Sequence, residues 1–404
     1  MPEEELKSVR RCEILSLFVG VFFLLIAAPA WSQRPNYYGD LRIVDFGYPR
    51  DKDALGYVRI EYLGVQMAEI PGYSTMTRLH ISNIDRISAD DFDVRILSTV
   101  GEVLEQFTAS EFSRRQAFWT AELPGTSFKI VVTAGAQDKI KFSVDRMLLP
   151  GFRRQPESIV GKDDNKPIYE LPSDSPIRTL ARSVVQVLLV SVSPDDTRQQ
   201  IGQWCTGFMV DQDRVMTAAH CIATSDECDS AMVAFGVAAT SSTSPISPVE
   251  QIGCKRIIGV SPADPSSATG LDVTVFEIER TPAEQWGALT LRPIPLCRGG
   301  STTGCGSAPK LALISQYKGE GKQVSMDTCH QVVPTGKDAD KVTSVHFAHS
   351  CNTVRSSSGA PIIDLASGQV VGLHVEGAEQ DICTTCFNLA SMASAIKTKV
   401  DTWH

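Results

Sequence analysis

Two short stretches of the chain carry residue types that could do covalent chemistry together. Three serines, Ser356 to Ser358, precede Gly-Ala-Pro in "CNTVRSSSGAPII", and His220 stands between two alanines and a cysteine in "RVMTAAHC". A serine hydroxyl can act as a nucleophile when a neighbouring histidine removes its proton. The alternative is that the serines form a solvated loop and that His220 only packs. Other parts of the sequence must decide between these two interpretations.

The residues around His220 favour the chemical interpretation. The stretch "WCTGFMVDQDRVMTAAHC" contains Cys205, a predicted strand–turn–strand, and then Ala-Ala-His followed by Cys221. The small residues allow the imidazole to lie close to a neighbouring strand. This pattern resembles that of the trypsin-like (chymotrypsin-fold) serine peptidases. The resemblance implies a disulfide between Cys205 and Cys221, which would fix the strand that presents His220.

The same resemblance implies an aspartate and a serine further along the chain. Asp272 directly precedes an alternating apolar strand in "GLDVTVFEIE" and is similar to the family's Asp-Ile-Ala-Leu motif. Asp264 is the alternative, but its Pro-rich loop would hold a carboxylate less rigidly. Of the three serines, Ser358 is the one followed by glycine. The resemblance therefore implies that Ser358 attacks a peptide carbonyl, His220 acts as the base and Asp272 orients the imidazole, with no metal or cofactor.

The segment around Ser358 departs from the family's pattern. The family has Gly-Asp-Ser-Gly-Gly-Pro or Gly-Asn-Ser-Gly-Ser-Pro, whereas this chain has Ser-Ser-Ser-Gly-Ala-Pro. The N–H groups of Ser356 and Ser358 would form the oxyanion hole. Ser356 stands where the family has glycine, and a positive φ costs a residue with a Cβ roughly 1–2 kcal/mol. We therefore expect a strained backbone at Ser356, and the alternative function is an inactive homologue that binds or adheres to other molecules.

Another substitution bears on activation. Ser357 stands where trypsin zymogens have the aspartate that accepts a newly freed N-terminal amine. The stretch "IVGK" at 159–162 resembles such a new N-terminus, but without the aspartate a strand or linker is favoured. Arg153 and Arg154, just upstream, still make the linker a plausible proteolytic site.

Within the family, the resemblance is to the bacterial glutamyl-endopeptidase-like branch. It rests on "IVGKDDNKPI", "CNTVRSSSGAP" and "VVGLHVEG". In that branch, the positions of Thr353 and His374 contact an acidic P1 side chain. The alternative is that His374 only packs, and Glu376 would repel an acidic side chain, so the P1 preference stays open.

Composition and the first residues indicate where the protein acts. The chain has 404 residues and a net charge of −9, which argues against a nucleic-acid partner because such a partner requires a basic face. Basic residues precede the apolar run "ILSLFVGVFFLLIAAPAW", a pattern typical of a signal peptide over residues 1–32 with cleavage near Ala30. The alternative is an uncleaved anchor. We expect a secreted or periplasmic protein with no membrane span in the mature chain.

The cysteines agree with export. Apart from Cys12, ten cysteines remain, an even number, and all lie beyond residue 200. Besides the pair implied above, we expect three disulfides: Cys329–Cys351, Cys228–Cys254 and Cys297–Cys305. The "CTTC" of 383–386 predicts disulfides rather than a zinc or redox site. The two histidines of "HFAH" at 346–349 face opposite sides of a predicted strand, so we do not expect them to bind a metal as a pair.

Short alternating runs dominate both halves of the sequence and indicate an all-β protein. We expect a β-sandwich accessory domain at 33–150, a linker leading into the next domain at 151–175, and a peptidase domain at 176–404. The peptidase domain would be a chymotrypsin-like double β-barrel with one C-terminal helix in "NLASMASAIKTKVDTWH". The partner would be a protein or peptide substrate. We expect four aromatic residues of the sandwich to pack internally, and the alternative is that they contact a glycan or a protein: Tyr37, Tyr38, Tyr48 and Trp119.

Overall fold

The computed structural model describes most of the chain beyond residue 36. The described residues are 37–48, 59–64, 76–88, 92–113, 117–134, 139–150, 156–192, 200–242, 246, 248–263, 270–294, 309–317, 321–334, 342–378, 382–383 and 386–403. The predicted signal peptide, Arg153, Arg154, Asp264 and the predicted Cys297–Cys305 pair lie outside these residues. The predicted all-β class is confirmed, because strands dominate the described residues and form barrel-like sheets.

The N-terminal part consists of strands and one short helix. They are β1 (Tyr37–Tyr48), β2 (Arg59–Gly64), β3 (Met76–Ser88), β4 (Phe92–Leu97), β5 (Val103–Thr108), α1 (Ala109–Ser113), β6 (Phe118–Trp119), β7 (Leu123–Pro124), β8 (Ser127–Ala134) and β9 (Lys139–Pro150). Strands β2, β8, β4 and β5 form one sheet, and β1, β9, β3 and β6 belong to another. A separate apolar core, which includes Phe92, Phe112 and Phe142, is built from residues of both sheets.

The next elements include the six strands of the first barrel. They are β10 (Pro156–Val160), β11 (Lys166–Pro167), α2 (Pro176–Leu180), β12 (Val184–Val192), β13 (Gln200–Met209), β14 (Arg214–Thr217), α3 (Ser225–Ser230), β15 (Met232–Phe235), β16 (Glu250–Ser261) and β17 (Val273–Ile278). The path β12-β15-β16-β17-β14-β13 closes because β13 also pairs with β12. Every residue of β17 is buried, so both faces of this strand are covered.

The last elements include most strands of a second sheet. They are β18 (Leu311–Tyr317), β19 (Gly321–Ser325), β20 (Gln331–Val332), β21 (His346–His349), β22 (Thr353–Val354), β23 (Pro361–Asp364), β24 (Gln369–Glu376), β25 (Ile382–Cys383) and β26 (Asn388–Met392), followed by helix α4 (Ala393–Val400). Eight strands pair in the order β11-β19-β18-β23-β24-β26-β21-β20. Strand β10 lies apart, between β22 and β25.

The N-terminal part is joined to the first barrel by backbone pairing and by a buried apolar cluster. Strand β1 pairs with both β9 and β13, so one sheet runs through both parts. Trp119 and Leu148 pack in one cluster with Leu188 and Trp204 of the barrel. The burial of Trp119 agrees with internal packing of this aromatic residue.

The C-terminal prediction is partly wrong. Residues 388–392, predicted as the start of a helix, form strand β26, and the helix runs only from Ala393 to Val400. The reason is tertiary, because β26 lies between β21 and β24 and all its residues are buried. Among the described residues, no helix is long and apolar enough to span a membrane.

Candidate active site

His220 and Asp272 are held together by paired hydrogen bonds. The His220 Nδ1 atom lies 2.7 Å from Asp272 Oδ2, and the His220 backbone N–H donates to Asp272 Oδ1 at 2.9 Å. The Asp272 side chain is 3 % exposed and that of His220 is 24 % exposed. Asp272 thus lies beneath the imidazole, while the ring keeps access to the surface.

The backbone of Asp272 is in an unusual conformation. Its φ is +49°, and among the described non-glycine residues it shares a positive φ only with Asn83. Aspartate tolerates this region better than most residues. Neighbouring strands hold the position: Thr274 Oγ1 donates to the Ile222 carbonyl at 2.6 Å, and Ser391 Oγ of β26 donates to the Leu271 carbonyl. Both barrels therefore contribute to placing the carboxylate.

Ser358 lies on a turn that packs tightly against the strands leading to His220. The Thr206 backbone N–H donates to the Ser358 carbonyl at 2.9 Å. A Cβ on Gly359 would come within 2.2 Å of the Thr206 carbonyl oxygen and 2.4 Å of Thr217 Oγ1. Gly359 also has a φ of +83°, so glycine is required here for both space and backbone conformation. The structure thereby brings the Ser358 turn to the strand end that precedes His220.

The predicted backbone strain at Ser356 is absent. Residues Arg355–Ser357 form a 3₁₀ turn, and Ser356 is not among the described residues with positive φ. The turn is closed by side-chain and backbone hydrogen bonds, from Val354 N–H to Ser357 Oγ at 3.0 Å and from Ala360 N–H to the Ser357 carbonyl at 2.8 Å. Ser356 avoids strain because its backbone in this turn stays outside the positive-φ region.

The two predicted specificity residues are both buried. Thr353 is 0 % exposed, and its Oγ1 donates to the Ser158 carbonyl at 3.4 Å. His374 is also fully buried, with its Nδ1 3.2 Å from His349 Nε2. Burial, together with the neighbouring His374, holds the pKa of His349 well below its usual range. The His374 carbonyl accepts a hydrogen bond from Gly359 N–H, and the His374 N–H donates one to the Ala360 carbonyl, so this residue also lies beside the Ser358 turn.

The histidines of "HFAH" do not lie together as a metal pair. They occupy the two ends of β21, where His346 Nδ1 contacts Thr343 Oγ1 at 2.8 Å and His349 contacts His374. Burial lowers the pKa of His346 to about 4, although the charge of Asp272 acts in the opposite direction.

Another group with metal-ligand chemistry includes His220. Sγ atoms of Cys205 and Cys221 and a ring nitrogen of His220 lie within 4.8 Å of one another. The two sulfurs form a disulfide, so they offer no thiolates to a metal.

Three predicted disulfides are confirmed: Cys205–Cys221, Cys228–Cys254 and Cys329–Cys351. Cys205–Cys221 fixes the residue next to His220, and Cys329–Cys351 fixes the segment before Thr353. Cys386, at the end of "CTTC", is also disulfide-bonded, which agrees with the expectation of disulfides there.

The first two residues of "IVGK" lie in a strand. Ile159 and Val160 belong to β10, which pairs with β22. Asn352 holds this segment: its Oδ1 accepts from Val160 N–H at 2.8 Å, and its Nδ2 donates to the Lys162 carbonyl at 2.8 Å. Sequence reasoning missed the role of Asn352, although its place beside Cys351 was a usable signal. The strand interpretation of Ile159 and Val160 is confirmed.

Two closed or curved β-sheets, with a buried carboxylate under a histidine, define a chymotrypsin-like fold. Residues 205–373 match the family model of the trypsin-like peptidase domain, a span that includes His220, Asp272 and Ser358. This part of the chain is thus similar to a trypsin-like peptidase domain. A search of curated proteins finds no match.

Several solved structures are similar to part of the chain. The Rv3671c protease of M. tuberculosis in its active form is 18 % identical, with a TM-score of 0.37, over 62 % of this chain and 92 % of that chain. An inactive mutant form of the same protein gives 18 % identity and a TM-score of 0.37, over 61 % and 97 %. The scabies mite inactivated protease paralogue S-D1 gives 15 % identity and a TM-score of 0.39, over 55 % and 92 %.

Proposed function

We propose that this protein is an exported serine endopeptidase that works through Ser358, His220 and Asp272. The observation that carries the proposal is the buried Asp272 carboxylate bonded to His220 Nδ1 at 2.7 Å. This bond leaves Nε2 of the ring for the nucleophile, and a carboxylate at Nδ1 stabilises the imidazolium that forms. Ser358 Oγ attacks the peptide carbonyl, His220 takes its proton, and the same proton passes to the leaving amine. Water then releases the acyl group from Ser358.

The oxyanion hole completes the proposal and requires a conformational step. Ser356 N–H and Ser358 N–H would have to point at the same oxygen, whereas Arg355–Ser357 are wound into a 3₁₀ turn in which Ser356 does not have a positive φ. We propose that substrate opens the turn by rotating the Arg355–Ser356 peptide. That rotation gives Ser356 a positive φ in the active state alone.

The P1 pocket is proposed to lie between Thr353 and His374, as in the glutamyl-endopeptidase-like branch. The His349–His374 contact supports this, since His349 can orient the His374 ring through a hydrogen bond. The burial of both residues requires the pocket to open for substrate. A peptide-library cleavage profile tests this point, and Lys or Arg dominant at P1 would exclude an acidic preference.

Export is proposed from the N-terminal sequence and supported by the disulfides Cys205–Cys221, Cys228–Cys254 and Cys329–Cys351, which persist in oxidising compartments. N-terminal sequencing of the protein from its host tests the cleavage near Ala30.

A fluorophosphonate probe tests the catalytic proposal directly. We expect a covalent adduct on Ser358 in the folded protein, no adduct in Ser358→Ala, and a strongly reduced rate in His220→Ala. An unlabelled, folded wild-type protein would instead favour the alternative, a binding protein built on this fold.

A further inference from the structure

Thr206 is a buried residue of β13 that the proposed triad does not use. Its Oγ1 accepts a hydrogen bond from the Gln316 N–H at 2.9 Å and donates one to the Ser356 carbonyl at 2.7 Å. Its backbone N–H donates to the Ser358 carbonyl, and its carbonyl accepts from Thr217 Oγ1 at 2.7 Å. Thr206 thus connects three segments that are far apart in the sequence.

Ser356 closes a ring with Thr206 and Gln316. The Ser356 hydroxyl donates to the Gln316 carbonyl at 2.6 Å. Both backbone polar groups of Gln316 are therefore bonded to side chains from other segments, and the Ser356 carbonyl is bonded to Thr206. All three residues are buried. Removing one hydroxyl would leave buried polar groups without partners, which costs about 1–3 kcal/mol.

This ring acts on the residues that would supply the oxyanion donors. Ser356 and Ser358 are each bonded to Thr206 through their carbonyls, one by its hydroxyl and one by its backbone. Thr206 also follows Cys205, whose disulfide partner Cys221 follows His220. One residue thereby links the nucleophile turn to the strand end that presents the base.

We propose that the Thr206 hydroxyl is a positioning group, which anchors residues 356–358 to β18 and so fixes the oxyanion donors and the nucleophile relative to His220. The proposal rests on the proposed function for its catalytic consequence. Rotation of the Arg355–Ser356 peptide moves the Arg355 carbonyl and the Ser356 N–H. Thr206 Oγ1 is bonded instead to the Ser356 carbonyl and the Gln316 N–H, so the turn can open while the anchor holds. Thr206 is bonded to the turn rather than to substrate, and it acts through its neighbours.

Thr206→Val and Thr206→Ser form a matched pair that tests the anchor. Valine keeps the branched shape and loses the hydroxyl, whereas serine keeps the hydroxyl and loses a methyl group. One readout is amide hydrogen exchange of peptides covering 351–363, which reports the anchor without requiring activity. The other is turnover of a fluorescent casein, separated into kcat and KM.

We expect exchange in residues 351–363 to be about tenfold faster in Thr206→Val and close to wild type in Thr206→Ser. We expect kcat to fall about 10- to 100-fold in Thr206→Val with KM little changed, because small displacements of reacting groups cost about that much. Thr206→Ser should keep kcat within about threefold of wild type, because serine retains the hydroxyl that makes both hydrogen bonds.

Several results would overturn the proposal. Unchanged exchange in Thr206→Val would show that the hydroxyl does not anchor the segment. Equal losses in both variants would show that side-chain shape matters rather than the hydroxyl. If Thr206→Val does not fold by near-UV circular dichroism, Ser356→Ala replaces it, and unchanged exchange there would overturn the ring. A wild-type protein that no fluorophosphonate labels would refute the proposed function, while the exchange comparison would still decide the anchor.

Discussion

Asp272 is bonded twice to His220, once through the ring and once through the backbone of the same residue. The ring Nδ1 lies 2.7 Å from one carboxylate oxygen, and the backbone N–H lies 2.9 Å from the other. The carboxylate therefore fixes both the tautomer of the imidazole and the turn that carries it. Its own backbone is held at a positive φ, a conformation that neighbouring strands must maintain.

Asp272→Asn tests the role of the charge with little change in shape. Asparagine also tolerates a positive φ, so we expect the variant to fold. Its amide would favour the wrong tautomer of His220 and could not stabilise an imidazolium, so kcat should fall by about 10³–10⁴-fold. Turnover of fluorescent casein measures this, with exposed Asp211→Asn as the control. A fall of less than about tenfold would contradict the assigned role.

Ser356→Gly and Ser356→Ala separate two effects of the serine that replaces glycine. Both lose the hydrogen bond to Gln316, but only alanine keeps a Cβ. Opening the turn would give residue 356 a positive φ, which costs a residue with a Cβ roughly 1–2 kcal/mol. We therefore expect Ser356→Gly to react with a fluorophosphonate about tenfold faster than Ser356→Ala.

Both variants lack the Ser356 hydroxyl, so its effect on the labelling rate cancels when the two variants are compared with each other. Equal labelling rates for glycine and alanine would contradict the opening of the turn by rotation of the Arg355–Ser356 peptide. The predicted change concerns the rate of labelling and not its final extent.

The parts of the site that were predictable from the sequence are those with local signals. His220 and Ser358 lie beside cysteines, alanines or glycines whose small size or cross-linking serves the site directly. Thr206 carries no such signal, because its role depends on Gln316 and Ser356, which only the fold brings to it. The conformation of Ser356 was equally unpredictable from the sequence. Its 3₁₀ turn is bonded to Thr206 and Gln316, which are distant in the sequence, and the serine run does not indicate these contacts.

The fold shows the same distinction at larger scale. Alternating strands were predictable because burial of one face gives a period of two. Residues 388–392 were mistaken for a helix because their pairing with β21 and β24 overrides the local pattern. The docking of the N-terminal part through Arg78 was also outside sequence reasoning, because its partners lie at residues 120, 188 and 230.

Arg78 links the N-terminal part to the first barrel. It is 1 % exposed, and its guanidinium donates to the carbonyls of Thr120, Leu188 and Ser230 at 2.8, 3.4 and 2.9 Å. Arg78→Met would remove all three hydrogen bonds from the interior. We expect the free energy of unfolding to fall by about 3 kcal/mol, since hydrogen bonds to charged groups contribute about 1.5–3 kcal/mol each and part of the loss is recovered by relaxation.

Urea unfolding followed by tryptophan fluorescence measures this change, because Trp119 and Trp204 lie in the apolar cluster beside Arg78. The matched control is Arg214→Met, at an exposed position of β14, where we expect a change within about 0.5 kcal/mol. A similar small change for Arg78→Met would show that the two parts of the chain do not depend on this residue.

Lys322 should make stability depend on pH in the alkaline range. It is 4 % exposed, its Nζ donates to the Ala181 carbonyl, and burial lowers its pKa to about 7. An unfolded lysine has a pKa of about 10.4, so between pH 7 and about 10 the unfolded chain binds more protons than the folded one. Stability contributed by this site therefore rises with pH across that interval and is constant below it.

Lys322→Met should flatten the rise and stabilise the protein at pH 6, whereas exposed Lys399→Met should change neither. Urea midpoints from pH 6 to 9.5 measure this, and parallel curves for wild type and Lys322→Met would show that Lys322 keeps its charge when buried.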